Sequence, residues 1–270
     1  GDIVLEVGPG KGALTSKLLE AGAKVIAFEK DDRAIPYFND KFAIEIKNGQ
    51  LNLVHGDILD LDIEKSELLS GKNYKISANI PYYITGELLR KFLQSNNQPE
   101  KIVVMLQKEV ARRIVGEESQ KTNEIGQKII KESILSISIK VYGKPKYITT
   151  VSRKLFRPIP NVDSAILAIN NITKDYFSLN EQDFERNSLK NTQNITKIDE
   201  NMFFDIVKHG FAHKRKVLIK NLQEKIDKVI LEKLWNDKKW SPNIRAEDIT
   251  VNDWKDIAIY YVCFPQKTAK

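Results

Sequence analysis

The strongest constraint on this fold is an apolar strand that runs directly into three glycines. Ile3-Val4-Leu5-Glu6-Val7 is followed at once by Gly8-Pro9-Gly10-Lys11-Gly12, and Leu14, Leu18 and Leu19 then recur at helical spacing. Glycine is needed where backbone turns sharply or comes close to a ligand. The helix that follows presents free N–H groups at its start. Strand, glycine turn and helix therefore open the chain, and they restrict it to α/β architectures in which the next strand lies parallel to the first.

The rest of the first half fits that restriction. Strands are expected at 24–28, closing on Glu29, at 51–54 before Gly56-Asp57, at 75–78 before Asn79-Ile80-Pro81-Tyr82, at 102–106 and at 164–169. Leu88, Leu89, Phe92 and Leu93 mark a helix between the fourth and fifth strands. Ile102-Val103-Val104-Met105-Leu106 is continuous enough for a central buried strand. Residues 117–128 are polar and read as an exposed insertion. The stretch 173–200 is rich in Asn, Thr, Lys and Glu and poor in large apolar residues, which reads as a linker or long surface loop. From 201 to 270 the pattern is helical, with Phe203, Phe204, Ile206, Val207 and Phe211 on one face. The expected organisation is an α/β domain over 1–172, a linker over 173–200 and a helical domain over 201–270.

Charge and cysteine content narrow the function. The formal net charge is +7, which favours an anionic partner such as nucleic acid. Cys263 is the only cysteine, so neither an intramolecular disulfide nor a cysteine-rich zinc site can form. His209 and His213 stand at helical spacing without a third ligand, and no metal is expected. No apolar run approaches the roughly 20 residues of a membrane span. No signal peptide is visible, and a cytoplasmic location is expected.

Three acids stand at strand ends beside the glycine loop. Glu6 leads it, and Glu29 closes the second strand, where a carboxylate accepts both ribose hydroxyls of a nucleoside. Asp57 follows the third strand and can accept from a nucleoside amine, with the Ile58 backbone beside it. Two of them have ordinary alternatives: a solvated charge within Glu29-Lys30-Asp31-Asp32 for Glu29, and a turn or helix cap for Asp57. Their shared position at carboxyl ends of strands favours a ligand site. The glycines follow G-x-G-x-G, not the G-x-G-x-x-G of dinucleotide oxidoreductases. They match the glycine loop of class I methyltransferases, which wraps S-adenosylmethionine.

At Asn79-Ile80-Pro81-Tyr82 the proline stiffens the corner and steers Ile80 away from helix. The Asn79 side-chain carbonyl and a backbone carbonyl near Pro81 can accept the two protons of a substrate amine, and Tyr82 can stack on a flipped base. An adenine amine is a poor nucleophile because its lone pair is delocalised into the ring. Two acceptors on its protons favour pyramidalisation and turn the lone pair toward a methyl donor.

The chain as a whole resembles the KsgA type of ribosomal RNA adenine dimethyltransferases. The resemblance rests on Glu6-Val7-Gly8-Pro9-Gly10-Lys11-Gly12-Ala13-Leu14-Thr15, on Asn79-Ile80-Pro81-Tyr82, on Gln107-Lys108-Glu109-Val110-Ala111 and on the segment Phe156 to Ala165. Gly210 to Lys216 and Arg245-Ala246-Glu247 extend it into the helical part. It implies a class I, Rossmann-like methyltransferase sheet with a small C-terminal helical domain. It also implies transfer from S-adenosylmethionine to two adjacent adenines in the 3′-terminal hairpin of small-subunit (16S) rRNA, on a 30S-type particle, by a monomer active in ribosome biogenesis. Glu6, Gly8, Gly10, Gly12, Glu29, Lys30, Asp57, Ile58 and Asn79 would then hold the cofactor. Asn79, Pro81, Tyr82 and Phe156 would handle the target base. Lys108, Arg112 and Arg113, together with Lys214, Arg215 and Lys216 along a helix, would contact rRNA phosphates.

The family carries a segment before the first strand that helps to cover the cofactor; this chain opens at Gly1, so that segment is expected to be missing. Residues 117–132 also depart from the family pattern. Two rival readings share many of these residues. One is the large-subunit (23S) rRNA adenine methyltransferase linked to macrolide resistance. The other is a non-catalytic rRNA-binding assembly factor on the same fold.

Overall fold

The structure is a computed structural model that describes residues 1–79, 82–116, 131–190 and 194–264, with the side chain of Tyr82 excepted. Ile80, Pro81 and the Tyr82 side chain, along with the polar stretch 117–128, lie outside the described residues. The chain divides into two units. One comprises residues 1–115 and 142–173, and the other comprises 116–141 and 174–270.

The first unit is built on a seven-stranded sheet in the order β3-β2-β1-β4-β5-β7-β6. The strands are β1 (Ile3–Val7), β2 (Lys24–Glu29), β3 (Leu51–His55), β4 (Lys75–Asn79), β5 (Lys101–Gln107), β6 (Lys144–Val151) and β7 (Ser164–Asn170). β1 to β5 pair in parallel, and β7 is antiparallel to both β5 and β6. Val4, Leu5, Val25, Ala27, Ile76, Ile102 and Val104 are all buried, as expected for strands covered on both faces. The helices of this unit are α1 (Ala13–Glu20), α2 (Ala34–Lys41), α3 (Ala43–Lys47), α4 (Thr85–Gln94) and α5 (Lys108–Val115). α4 buries Leu88, Leu89, Phe92 and Leu93, the face its spacing foretold.

β6 has no counterpart among the expected strands. It is an edge strand with Lys144, Pro145 and Lys146 in its first half and a bulge between Tyr147 and Thr149. Lysine, proline and a bulge are the means by which edge strands avoid further pairing, and they erase the apolar signature of a central strand.

The second unit is helical: α6 (Ile134–Lys140), α7 (Glu181–Glu185), α8 (Glu200–Gly210), α9 (Leu218–Leu222), α10 (Lys228–Lys238) and α11 (Val251–Cys263). Two expectations are corrected here. Residues 131–141 belong to this unit, not to the α/β domain: Glu132 N donates to Glu247 O at 2.8 Å, and Lys131 pairs with Glu247. The described part of 173–200 is likewise no linker from Lys174 onward. Phe177, Phe184 and Ile198 are buried, and the Phe177 ring packs edge-on to Phe203 at 5.5 Å. Ile198 N donates to Phe177 O at 2.8 Å. The segment has few large apolar residues, but those few are turned inward. Its buried Asp183 is paired with Lys255 at 3.0 Å and Arg186 at 3.3 Å. No helix among the described residues is long and apolar enough to cross a membrane.

Candidate active site

The parallel register places the carboxyl ends of β1, β2, β3 and β4 side by side. Val7 is opposite Phe28 on one flank and Ala78 on the other, while Glu29 is opposite His55. The glycine loop, Glu29, Asp57 and Asn79 all leave the sheet at this edge, where open α/β sheets bind ligands.

Gly8, Gly10 and Gly12 all adopt left-handed backbone, with φ of 66°, 57° and 69°. A side chain on Gly12 would strike the Phe42 ring, 2.5 Å from the nearest carbon. Gly8 N donates to Phe28 O at 3.0 Å, and Gly10 N donates to Glu29 Oε2 at 3.2 Å. The loop is thus tied to β2 and opens α1, with Gly12 as its N-cap residue.

Glu6 lies beneath this loop and is 1% exposed. Burial pushes its carboxyl up to about 7, against an opposing pull from Thr15 on the first turn of α1. Glu6 Oε2 has no hydrogen-bond partner among the described residues. A buried oxygen without a partner beside a glycine cradle suits a ligand that brings donors, and the ammonium of a methionine moiety is such a group.

Glu29 Oε1 accepts from Asp31 N at 2.8 Å while Oε2 holds the loop, so the nearly buried carboxylate is fixed in place. Asp57 caps the single-turn helix Ile58–Asp60 by accepting from Leu59 N at 2.9 Å. Lys30 Nζ sits 2.7 Å from Asp57 Oδ2, and this ammonium holds the Asp57 carboxyl below its usual range. Lys30 therefore meets the site through Asp57. A carboxylate has about four lone-pair sites, so both engaged oxygens of Asp57 retain acceptor capacity. Ile58, the next residue, is buried.

Asn79 ends β4, is exposed, and is opposite Met105. A side-chain carbon built on Gly8 would lie 3.9 Å from Asn79 O, which puts the loop and the Asn79 corner next to each other. Phe156 follows the single-turn helix Arg153–Leu155 and is half-buried. Its loop joins β6 to β7 and reaches the carboxyl end of β5, where Lys108 N donates to Asp163 O at 3.0 Å. Lys108, Arg112 and Arg113 lie on α5, which buries Ala111 and Ile114 on its other side.

Lys214, Arg215 and Lys216 do not lie along a helix as expected. They sit on the exposed turn between α8 and α9. α8 stops at Gly210, where any side chain would strike the Trp254 ring. Buried Asn221 then ties down the turn, its Nδ2 donating to Gly210 O at 2.7 Å and His213 O at 3.2 Å. His209 Nδ1 contacts Asp205 O at 2.8 Å.

The sequence reading gave no role to Thr15, or to Tyr83, which is 86% exposed beside the Asn79 corner. The doubled tyrosine Tyr82-Tyr83 was the available signal for the second.

A sheet of this order, with a glycine loop after β1 and acids after β2 and β3, defines a class I methyltransferase that uses S-adenosylmethionine. The ribosomal RNA adenine dimethylase family model matches residues 1–186, and the chain belongs to that family. It is 36% identical to the ribosomal RNA small subunit methyltransferase A of Dehalococcoides mccartyi, across 98% of this chain and 80% of that protein. A dimethyladenosine transferase from Plasmodium falciparum superposes with a TM-score of 0.64 at 24% identity, covering 95% of this chain and 88% of that one. The 23S rRNA methyltransferase ErmE superposes at 0.66 with 20% identity, covering 97% and 91%. At those identities the two structures share the fold alone. Family and whole-chain relatives make this chain an rRNA adenine dimethyltransferase, and the large-subunit reading is not favoured.

Proposed function

We propose that this chain dimethylates, on N6, two adjacent adenines in the 3′-terminal hairpin of small-subunit rRNA. One observation carries the mechanism: Asn79 stands against Gly8, so a base amine held at the corner faces whatever the glycine loop binds. S-adenosylmethionine, when bound, supplies an electrophilic methyl on sulfonium. Glu6, Gly8, Gly10 and Gly12 hold its methionine end, Glu29 its ribose, and Asp57 with Ile58 its adenine. Lys30 keeps Asp57 ionised for that contact.

Asn79 and a backbone carbonyl near Pro81 accept the two amine protons and orient the nitrogen lone pair. Tyr82 and Phe156 take the two faces of the base. No strong base is needed at the outset, since the product nitrogen can lose its proton to solvent afterwards. The gain comes from orientation and from acceptors arranged before the reaction.

Lys108, Arg112 and Arg113 of the first unit and Lys214, Arg215 and Lys216 of the second neutralise rRNA phosphates. Action as a monomer on a 30S-type particle in the cytoplasm, without a metal, completes this reading. The whole-chain likeness to small-subunit relatives supports the choice of subunit. The retained acids, glycines and Asn79 support catalysis over a purely binding role.

Asn79→Ala tests the mechanism. Methyl transfer to small-subunit particles should fall by at least about a hundredfold, the scale of losing one positioned acceptor, while calorimetric affinity for S-adenosylmethionine holds. Undiminished turnover in that variant, or label accepted by large-subunit particles alone, would defeat the reading.

A further inference from the structure

Three large apolar side chains face solvent within one loop of the first unit: Leu155 at 76% exposure, Ile159 at 56% and Val162 at 37%. Singly exposed apolar residues are ordinary, but a group of them marks an interaction surface. This loop joins β6 to β7 and carries Phe156, one residue beyond Leu155.

Hydrogen bonds fix the loop, so Leu155 is displayed on an ordered turn. Leu155 N donates to Ser152 O at 3.1 Å and Phe156 N to Arg153 O at 3.2 Å. Arg153 N donates to Asp163 Oδ1 at 3.0 Å, and Arg153 Nη1 to Asn161 O at 2.9 Å. Arg157 Nη1 donates to Lys154 O at 3.1 Å and Phe156 O at 2.9 Å. Backbone and guanidinium groups thus close the turn across its width.

The surroundings of Leu155 are cationic. Arg153, Lys154 and Arg157 are all exposed. An apolar tip flanked along the chain by three exposed cationic residues complements a polymer that is anionic outside and stacked inside. Enzymes that act on a base must draw it out of its stack, and proteins that part base steps do so with inserted Leu, Ile or Phe.

We propose that Leu155 is a wedge that enters the base stack beside the target adenine, with Arg153, Lys154 and Arg157 holding the flanking phosphates. Leu155 is a positioning residue: it parts the stack and leaves the base to the Asn79 corner. The inference rests on rRNA adenine methylation as the reaction.

The test uses 30S-type particles whose small-subunit rRNA carries the 3′-terminal hairpin in three forms: natural, with 2-aminopurine at the target position, and with an abasic site beside the target. The full-length wild type should raise 2-aminopurine fluorescence on binding. Leu155→Ala should lose most of that rise and about tenfold in kcat on the natural hairpin, the order expected when stacking contacts are lost. Leu155→Met should restore both. Calorimetric affinity for S-adenosylmethionine should be equal in all three proteins. On the abasic RNA, where the neighbouring stack is already broken, Leu155→Ala should match the wild type. Unchanged fluorescence and rate in Leu155→Ala would overturn the wedge, as would a tenfold loss that persists on the abasic RNA. A wild type inactive on every RNA would instead overturn the assignment of the reaction.

Discussion

Glu6 is the residue where burial and chemistry are most opposed. It is 1% exposed, its Oε2 is unpartnered, and its carboxyl is raised from the usual 4.5 to about 7. The folded chain therefore holds a proton that the unfolded chain releases between those two values. The resulting stability is fully present below pH 4.5 and is lost as pH rises to about 7. The shift corresponds to a penalty on the order of 3 kcal/mol above neutrality. Glu6→Gln keeps the shape and removes the titration. Urea denaturation from pH 4 to 8 should show the wild type losing stability relative to Glu6→Gln across that window. Parallel pH profiles for the two proteins would refute the buried, raised carboxyl. The place of Glu6 at the head of the glycine loop was legible in the sequence. Its burial was not, because alternation along β1 does not reveal that α1 lays Thr15 beside it.

At the scale of elements, the joint between β1 and α1 combines two demands on glycine that can be separated. Gly10 and Gly12 both have left-handed backbone, but a side chain at Gly10 meets nothing within 4 Å, whereas one at Gly12 strikes Phe42. Gly10→Ala should cost about 1 kcal/mol from backbone strain alone. Gly12→Ala should cost roughly 2–4 kcal/mol, since overpacking adds to the strain. Chemical denaturation of the two variants measures the difference, and equal losses would remove Phe42 from the account. Strands β1 to β5 and β7 were readable because their buried positions form short apolar runs, in the parallel strands β1 to β5 and in antiparallel β7 alike. Edge strand β6 was not, since Lys144, Pro145 and Lys146 occupy its start. The stretch 173–200 read as a linker because its core contribution rests on few residues, Phe177, Phe184 and Ile198 among them. The proximity of Asn79 to Gly8 was legible only as two motifs. Some seventy residues separate them, and β1–β4 pairing brings them together.

Over the whole molecule, the charge of +7 is divided between two units that each expose basic side chains. Those expected to meet phosphates include Arg112 and Arg113 on α5 of the first unit and, in the second, a four-residue turn, His213 to Lys216, that Asn221 ties down. A turn presents consecutive cations to a phosphate backbone, whereas a helix would scatter them around its axis at 3.6 residues per turn. If Lys214, Arg215 and Lys216 each neutralise a phosphate, each releases about 0.7–0.9 of a counterion. Replacing all three by glutamine should then lower the log–log salt slope of rRNA binding by about 2. Replacing Arg112 and Arg113 should lower it by a further 1.5 or so. The decisive measurement is the variant carrying all five changes, with affinity followed from low to moderate salt. If both units engage one RNA at the same time, the two reductions add. If the turn on the second unit serves only solubility, its three glutamines leave the slope where it was, and the reduction comes entirely from α5.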